Sequence, residues 1–145
     1  GEGEEEAAFA VPAVPSAVVE EEAGEVVAAR ERHPDLKYPV PAWSRPCRAA
    51  GYRLEVYRGG VQLPAVDLDA AMQEEGWALV GRLPDDSPVP CHIQLLHPTV
   101  SRQHAVFQSK AGGRLLLYDL DSTHGTFVNK RRLRPRYFVP LLRGD

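Results

Sequence analysis

"HAVFQSKAGGRLLLYDLDSTHGTFVN" runs from His104 to Asn129, and its reading decides the class of fold. Its apolar residues come in short runs, "HAVFQSK", "RLLLYDL" and "GTFVN", broken by Gly, Asp and Ser. The same pattern extends outward in both directions. "WALVGR" (Trp77 to Arg82) and "CHIQLL" (Cys91 to Leu96) precede it, and "RYFVPLL" (Arg136 to Leu142) follows. Further upstream "YRLEVYR" alternates from Tyr52 to Arg58 and stops at Gly59-Gly60, which predicts a half-buried strand and a turn. "DLDAAMQEEG", from Asp67 to Gly76, reads as a helical turn or a loop. Many short strands at close spacing, with turn residues between them, predict an all-β sandwich or barrel.

Ahead of this pattern the chain changes character. Gly1 to Arg32 is Glu, Ala, Val and Pro with few large apolar side chains, too little to offset the entropy of ordering it. An acidic disordered tail is expected over 1–32, with a weak partner-docking helix from Ser16 as the other reading. "HPDLKYPVPAWSRP", from His33 to Pro46, is proline-rich and carries Tyr38 and Trp43. An extended arm over 33–50, laid across the surface of a domain spanning 51–145, is the expectation. At 145 residues with 26 % charged, the chain fits one domain plus a tail. Net charge is -3, but Gly1 to Glu25 holds eight Glu and no basic residue, whereas Val100 to Asp145 holds nine Lys or Arg against three Asp. That asymmetry favours an acidic ligand at the C-terminal half. No apolar run is long enough to cross a bilayer, and "GEGEEEAAFA" is acidic where a secretory signal is basic, so an intracellular protein, nuclear or cytoplasmic, is expected.

The polar residues offer two chemistries. Ser101 and His104 invite a nucleophile-and-base reading with Asp119 or Asp121 as the carboxylate, but Ser101 lacks the flanking glycines of a nucleophile elbow. No Gly-rich phosphate loop of the strand-to-helix kind occurs, so neither nucleotide hydrolysis nor a cofactor is implied, and no enzyme is expected. Taken as a set, Gly81-Arg82, Ser101-Arg102 and Ser122, Thr123, His124 and Asn129 all fall at loop positions. Guanidinium forks and hydroxyls so placed make a receptor for an anion.

Three separated motifs in order, Gly81-Arg82, "SRQH" (Ser101 to His104) and "STHGTFVN" (Ser122 to Asn129), resemble the forkhead-associated (FHA) family of phosphothreonine-binding β-sandwiches. With "PAWSRP", "HPTVSRQHAVFQ" and "DLDSTHGTFVNK" the chain looks most like the kanadaptin-like subgroup, the nuclear inhibitors of protein phosphatase type one being near relatives. The resemblance implies a β-sandwich of two antiparallel sheets. It assigns Arg82 to the phosphate, Ser101 to another of its oxygens, Arg102 to the phosphate or the peptide backbone, and Thr123 to the far wall of the site. Gly81, His104, Gly125, Thr126 and Asn129 match loop-structuring positions. His124 stands where most members have Asn, which alters the contact beside the phosphothreonine; the near relative that reads phosphothreonine followed by proline also has His there. The family pattern continues with a final strand pair beyond Leu142 to Asp145, so these strands are expected to be missing from this chain.

The expected partner is a phosphothreonine-bearing protein, with Thr-Pro sites in view. The rival is an FHA fold docked constitutively as an architectural subunit of a large assembly. Cys91, His92 and His97 raise the question of zinc, but strand alternation scatters them and no metal is expected; Cys47 and Cys91 are read as idle thiols. "KRRLRPR", from Lys130 to Arg136, reads as a solvated basic loop rather than a nucleic-acid contact. "RGD", at Arg143 to Asp145, reads as the start of a turn rather than an adhesion signal.

Overall fold

A computed structural model describes residues 33–47 and 50–145. The acidic stretch over 1–32, with its expected disorder and the helix from Ser16, lies outside the described residues. The elements in chain order are β1 (Arg53–Arg58), β2 (Val61–Asp67), α1 (Leu68–Ala71), β3 (Trp77–Gly81), β4 (Ile93–Gln94), β5 (Gln103–Lys110), β6 (Arg114–Asp119), β7 (Phe127–Val128), β8 (Arg131–Arg132) and β9 (Phe138–Leu141).

β1 and β2 form an antiparallel ribbon in which Arg53 faces Asp67 and Arg58 faces Val61, with a bulge between Leu54 and Val56. β2 escapes the periodicity test because "VQLPAVD" carries Pro64 and is mostly exposed, as an edge strand tolerates. Asp67 then caps the single helical turn of α1, its carboxylate accepting the Ala70 N–H at 3.1 Å.

The main sheet has the order β4-β3-β5-β6-β9, and β7-β8 is a separate ribbon. β3, β5, β6 and β9 pair antiparallel with their neighbours, but β4 runs parallel to β3, with Val80 opposite Ile93. The expectation of purely antiparallel sheets is corrected here. After Gly81 the chain loops out through Leu83 to Pro90 and returns beside β3 in the same direction, a crossover and not a hairpin.

Both faces of the sheet are covered, so every residue of β3 is buried and polar alternation is absent. Trp77 and Leu79 face one core with Leu36, Tyr38 and Val40. Ala78 and Val80 face the other with Leu68 and Met72, closed by Tyr52, Leu54 and Val66 of the β1-β2 ribbon. The arm is therefore not laid across the surface, as its composition suggested, but built into the first core. Tyr38 is 1 % exposed, and its ring lies 5.7 Å from Trp77 and 5.3 Å from Tyr118.

Residues 33–47 form no strand, so their backbone polar groups need partners outside a ladder. Two glutamines of β5 supply them. Gln103 accepts the Lys37 N–H at 2.8 Å and donates to the Asp35 carbonyl at 2.8 Å. Gln108 accepts the Tyr38 hydroxyl at 2.6 Å and donates to Ser44 Oγ at 2.9 Å.

Candidate functional site

Gly81 sits opposite Gln103, and Asp119 opposite Ala105, so the end of β3, the start of β5 and the end of β6 lie at one end of the sheet. The loops carrying the anion-receptor residues leave from there. Gly81 is buried, and a methyl on it would run into the Arg102 carbonyl. The bare α-carbon lets the loop before β5 press against the end of β3. As a result the Arg82 N–H is shared between the carbonyls of Ser101, at 3.1 Å, and Arg102, at 3.0 Å.

The Arg82 side chain is anchored as well, Nε donating to the Val100 carbonyl at 2.9 Å. Among the described residues neither of its terminal nitrogens has a partner, and the side chain is exposed. Arg102 is exposed too, with no hydrogen bond from its guanidinium among the described residues. Both forks are therefore available to oxygens from outside the chain.

Ser101 faces across to the β6-β7 loop. Its Oγ accepts the Thr123 N–H at 3.1 Å, which leaves the hydroxyl proton to be donated elsewhere. Its N–H donates to His104 Nδ1 at 3.0 Å. Because Nδ1 accepts, Nε2 carries the ring proton and donates to the Gly125 carbonyl at 3.1 Å. The imidazole thus ties two loops together through their backbones. Ser101 and His104 are therefore not paired as nucleophile and base, since the ring meets the backbone of Ser101 and not its hydroxyl.

Asp119 completes the frame. It is 1 % exposed, and its carboxylate accepts the Ser122 N–H at 3.1 Å, the Ser122 hydroxyl at 2.6 Å and the Thr126 hydroxyl at 2.6 Å. Three donors satisfy the buried charge in place and close the loop from Ser122 to Thr126 on itself. Sequence reading weighed Asp119 only as a triad member. The signal for its actual use was its spacing, an Asp three residues before Ser122 and seven before Thr126, within hydrogen-bond reach once the loop turns.

Thr123 and His124 are exposed at the loop tip, and His124 has no hydrogen-bond partner among the described residues. Gly125 follows with φ 85°, a left-handed conformation that favours glycine, and the Arg132 side chain crosses its open face. Thr126 also accepts the Leu133 N–H on its carbonyl at 2.7 Å. The structure thus brings together Gly81, Arg82, Ser101, Arg102, His104, Thr123, His124, Gly125 and Thr126. Asn129 stands apart in the β7-β8 turn. Its φ of 50° and that of Lys130, 68°, make the two-residue hairpin, and its amide donates to Asp145 Oδ1 at 3.0 Å. Asp145 also accepts the Leu142 N–H at 2.8 Å, so "RGD" is folded into a turn.

"KRRLRPR" is only partly a loop, because Arg131 and Arg132 are strand β8. The other candidate ligands do not converge. His92 Nδ1 accepts the Leu79 N–H at 3.0 Å, while His97 Nδ1 meets Thr99 Oγ1 at 2.7 Å. Cys91 Sγ faces the Gly81 carbonyl at 3.5 Å, and burial pushes its thiol pKa up. Among the described residues no three His, Cys, Asp or Glu side chains come together as a metal requires. No helix among them is long and apolar enough to cross a membrane.

An FHA domain model matches residues 78–145. The chain is 40 % identical to human kanadaptin over 111 residues, which is 70 % of this chain and 14 % of kanadaptin. It is 34 % identical to the human nuclear inhibitor of protein phosphatase 1 over 100 residues, 68 % of this chain and 26 % of that protein. The chain therefore corresponds to a minor part of each of these relatives. The solved structure of the yeast Pml1 splicing factor superposes with a TM-score of 0.51 at 27 % identity, covering 63 % of this chain and 64 % of that one. With the domain model and these relatives in agreement, the chain from residue 78 to residue 145 belongs to the FHA domain family.

Proposed function

We propose that this domain binds phosphothreonine peptides, with Arg82 and Ser101 sharing the phosphate and Arg102, Thr123 and His124 contacting it or the adjoining peptide. The observation that carries the reading is the linkage across two loops: the Ser101 hydroxyl receives the Thr123 N–H at 3.1 Å while the free nitrogens of Arg82 extend from the loop Ser101 belongs to. A phosphothreonine brings about 1.5 to 2 negative charges and three acceptor oxygens. Three charge-assisted bonds at the upper end of about 1.5 to 3 kcal/mol each give a gross gain of the order of micromolar affinity before the cost of ordering a peptide is subtracted. The domain acts by binding and not by catalysis, since the one serine-histidine pair at the site is committed to holding loops. Relatives named as a nuclear inhibitor and a splicing factor support a nuclear place of action.

The test is calorimetry with matched phosphorylated and unphosphorylated threonine peptides. Arg82→Ala is expected to lower phosphopeptide affinity at least about 100-fold while leaving the thermal midpoint within a few degrees, because only an exposed side-chain bond to Val100 is lost. Equal affinity of the native domain for both peptides rejects the reading.

A second reading has one observation in its favour, the likeness to a splicing factor whose solved structure is described with its integration into the RES complex. On that reading the domain is an architectural subunit. Phosphatase treatment of the native assembly separates the two: release favours phosphopeptide reading, and survival favours constitutive docking.

A further inference from the structure

The phosphopeptide reading leaves the opposite end of the main sheet unused. From Gln103 to Lys110, β5 runs about 23 Å at roughly 3.3 Å per residue before the chain turns back into β6. At that far end Lys110 pairs with Arg114 across the turn. With Trp43, Arg45 and Cys47 of the arm, and with Tyr52, these two cations line one cavity of about 560 Å³, within the size range of ligand sites. Cross-strand partners share a face of the sheet, and like charges so placed repel and destabilise. Among the described residues no Asp or Glu lines the cavity to offset them. Asp69, whose carboxylate holds Ala50, Gly51 and Tyr52 by their N–H groups, is committed to backbone. The cations are also held open. Lys110 Nζ lies 4.6 Å from the centre of the Trp43 ring and makes no ion pair among the described residues. Arg114 Nε donates to the Ala111 carbonyl at 3.0 Å, and Arg45 Nη1 donates to the carbonyls of Ala42 at 2.6 Å and Ser44 at 2.7 Å. Each guanidinium is thereby fixed through one nitrogen, and its other nitrogens have no partner among the described residues.

We propose that this cavity binds an acidic peptide segment of a partner protein, whose successive carboxylates neutralise Arg45, Lys110 and Arg114. Charge complementarity carries the choice of occupant: three cations from two separate segments, the arm and the β5-β6 hairpin, meet at one cavity that no acidic side chain lines among the described residues. Cations spread over separate segments suit several carboxylates on one chain better than one compact ion. A bound segment removes the repulsion between Lys110 and Arg114, which the fold by itself leaves standing. The cavity shares no residue with the loops that carry Arg82 and Ser101, so both ends of the sheet can be occupied at once. Exposed ion pairs contribute little singly, and three together are worth about tenfold in affinity at low salt and less at high salt.

Fluorescence polarisation with the intact chain tests this, comparing a labelled hexaglutamate peptide with hexaglutamine. Hexaglutamate is expected to bind about tenfold tighter at low salt, against the chain's net charge of -3. Lys110→Gln and Arg114→Gln are each expected to weaken it about two- to fivefold. Arg114→Gln also relieves the like-charge pair, so its thermal midpoint is expected to hold or rise, which a merely structural role for the arginine would not allow. Location is read from the thiols. Saturating hexaglutamate is expected to slow alkylation of Cys47, which lines the cavity, at least about threefold by mass action. Cys91, whose Sγ faces the Gly81 carbonyl at the other end of the sheet, is expected to react at an unchanged rate. Equal binding of the two peptides, unchanged affinity in both variants, or protection of Cys91 in place of Cys47 overturns the proposal. Displacement of hexaglutamate by a phosphothreonine peptide places it at Arg82 and overturns the proposal as well, while leaving the phosphothreonine reading intact.

Discussion

At the scale of single residues, the site is governed by what a side chain leaves out as much as by what it supplies. Gly81 has no functional group, yet the adjacent Arg102 carbonyl occupies the space a methyl would take. That proximity is what allows the Arg82 N–H to bond both Ser101 and Arg102 and so fixes the root of the Arg82 side chain. Gly81→Ala forces the loop before β5 away. Overpacking of this kind costs about 2 to 3 kcal/mol, so the thermal midpoint is expected to fall by ten degrees or more. Phosphopeptide affinity is expected to fall at least about tenfold in the remaining folded protein. A variant that melts and binds like the native domain would show that the close approach does not position Arg82. The Gly-Arg motif was readable in the sequence because both residues are invariably visible as letters. The reason for the glycine was not, since it depends on a carbonyl more than twenty positions away.

At the scale of elements, the arm is the clearest departure from its composition. Proline and polar letters suggested a surface strap, and the segment is indeed extended, but Leu36, Tyr38 and Val40 are core residues. The buried hydrogen bond from Tyr38 to Gln108 is the element's tether. Tyr38→Phe keeps the ring and removes the donor, leaving Gln108 Oε1 unsatisfied, which is expected to cost about 1 to 2 kcal/mol in urea unfolding. An unchanged midpoint would mean the glutamine finds another donor. By the same logic, a chain begun at Gly51 strips Trp77 and Leu79 of their cover and is expected to lose cooperative unfolding by circular dichroism. Nothing in the letters of β5 marks Gln103 and Gln108 as buried, because a half-buried strand carries glutamine on its wet face as well. Only the position of the arm shows that this face is dry.

For the molecule as a whole, stability should carry the mark of a histidine held neutral. Burial lowers the pKa of His92 below its ordinary value of 6.5, with His33 adding to the effect and Glu75 and Glu74 opposing it. The Leu79 N–H donated to Nδ1 acts in the same direction, since it needs a lone pair on that nitrogen. The unfolded chain therefore takes up the proton more readily than the folded one. This contribution is complete above the ordinary histidine pKa and is lost as pH falls through it toward the folded value. Urea midpoints measured from pH 7.5 to 5 should fall less steeply for His92→Gln, whose amide oxygen can still accept from Leu79, than for the native chain. Parallel slopes would show that His92 titrates alike in both states.

The short apolar runs by themselves determined an all-β protein, because a period of two and a turn residue every few positions are local properties of a chain. The motif residues likewise announced, through their types and order, an FHA domain. What only tertiary structure decided is everything that depends on approach between distant segments. β4 lies parallel to β3 because of how a crossover returns, Asp119 closes a loop instead of orienting a base, and the arm fills a core instead of crossing a surface. His104 has no preference for one partner over another until two loops are brought to either side of its ring. Periodicity records which face of an element is apolar, but not which segment will cover it, and the site is built where those coverings meet.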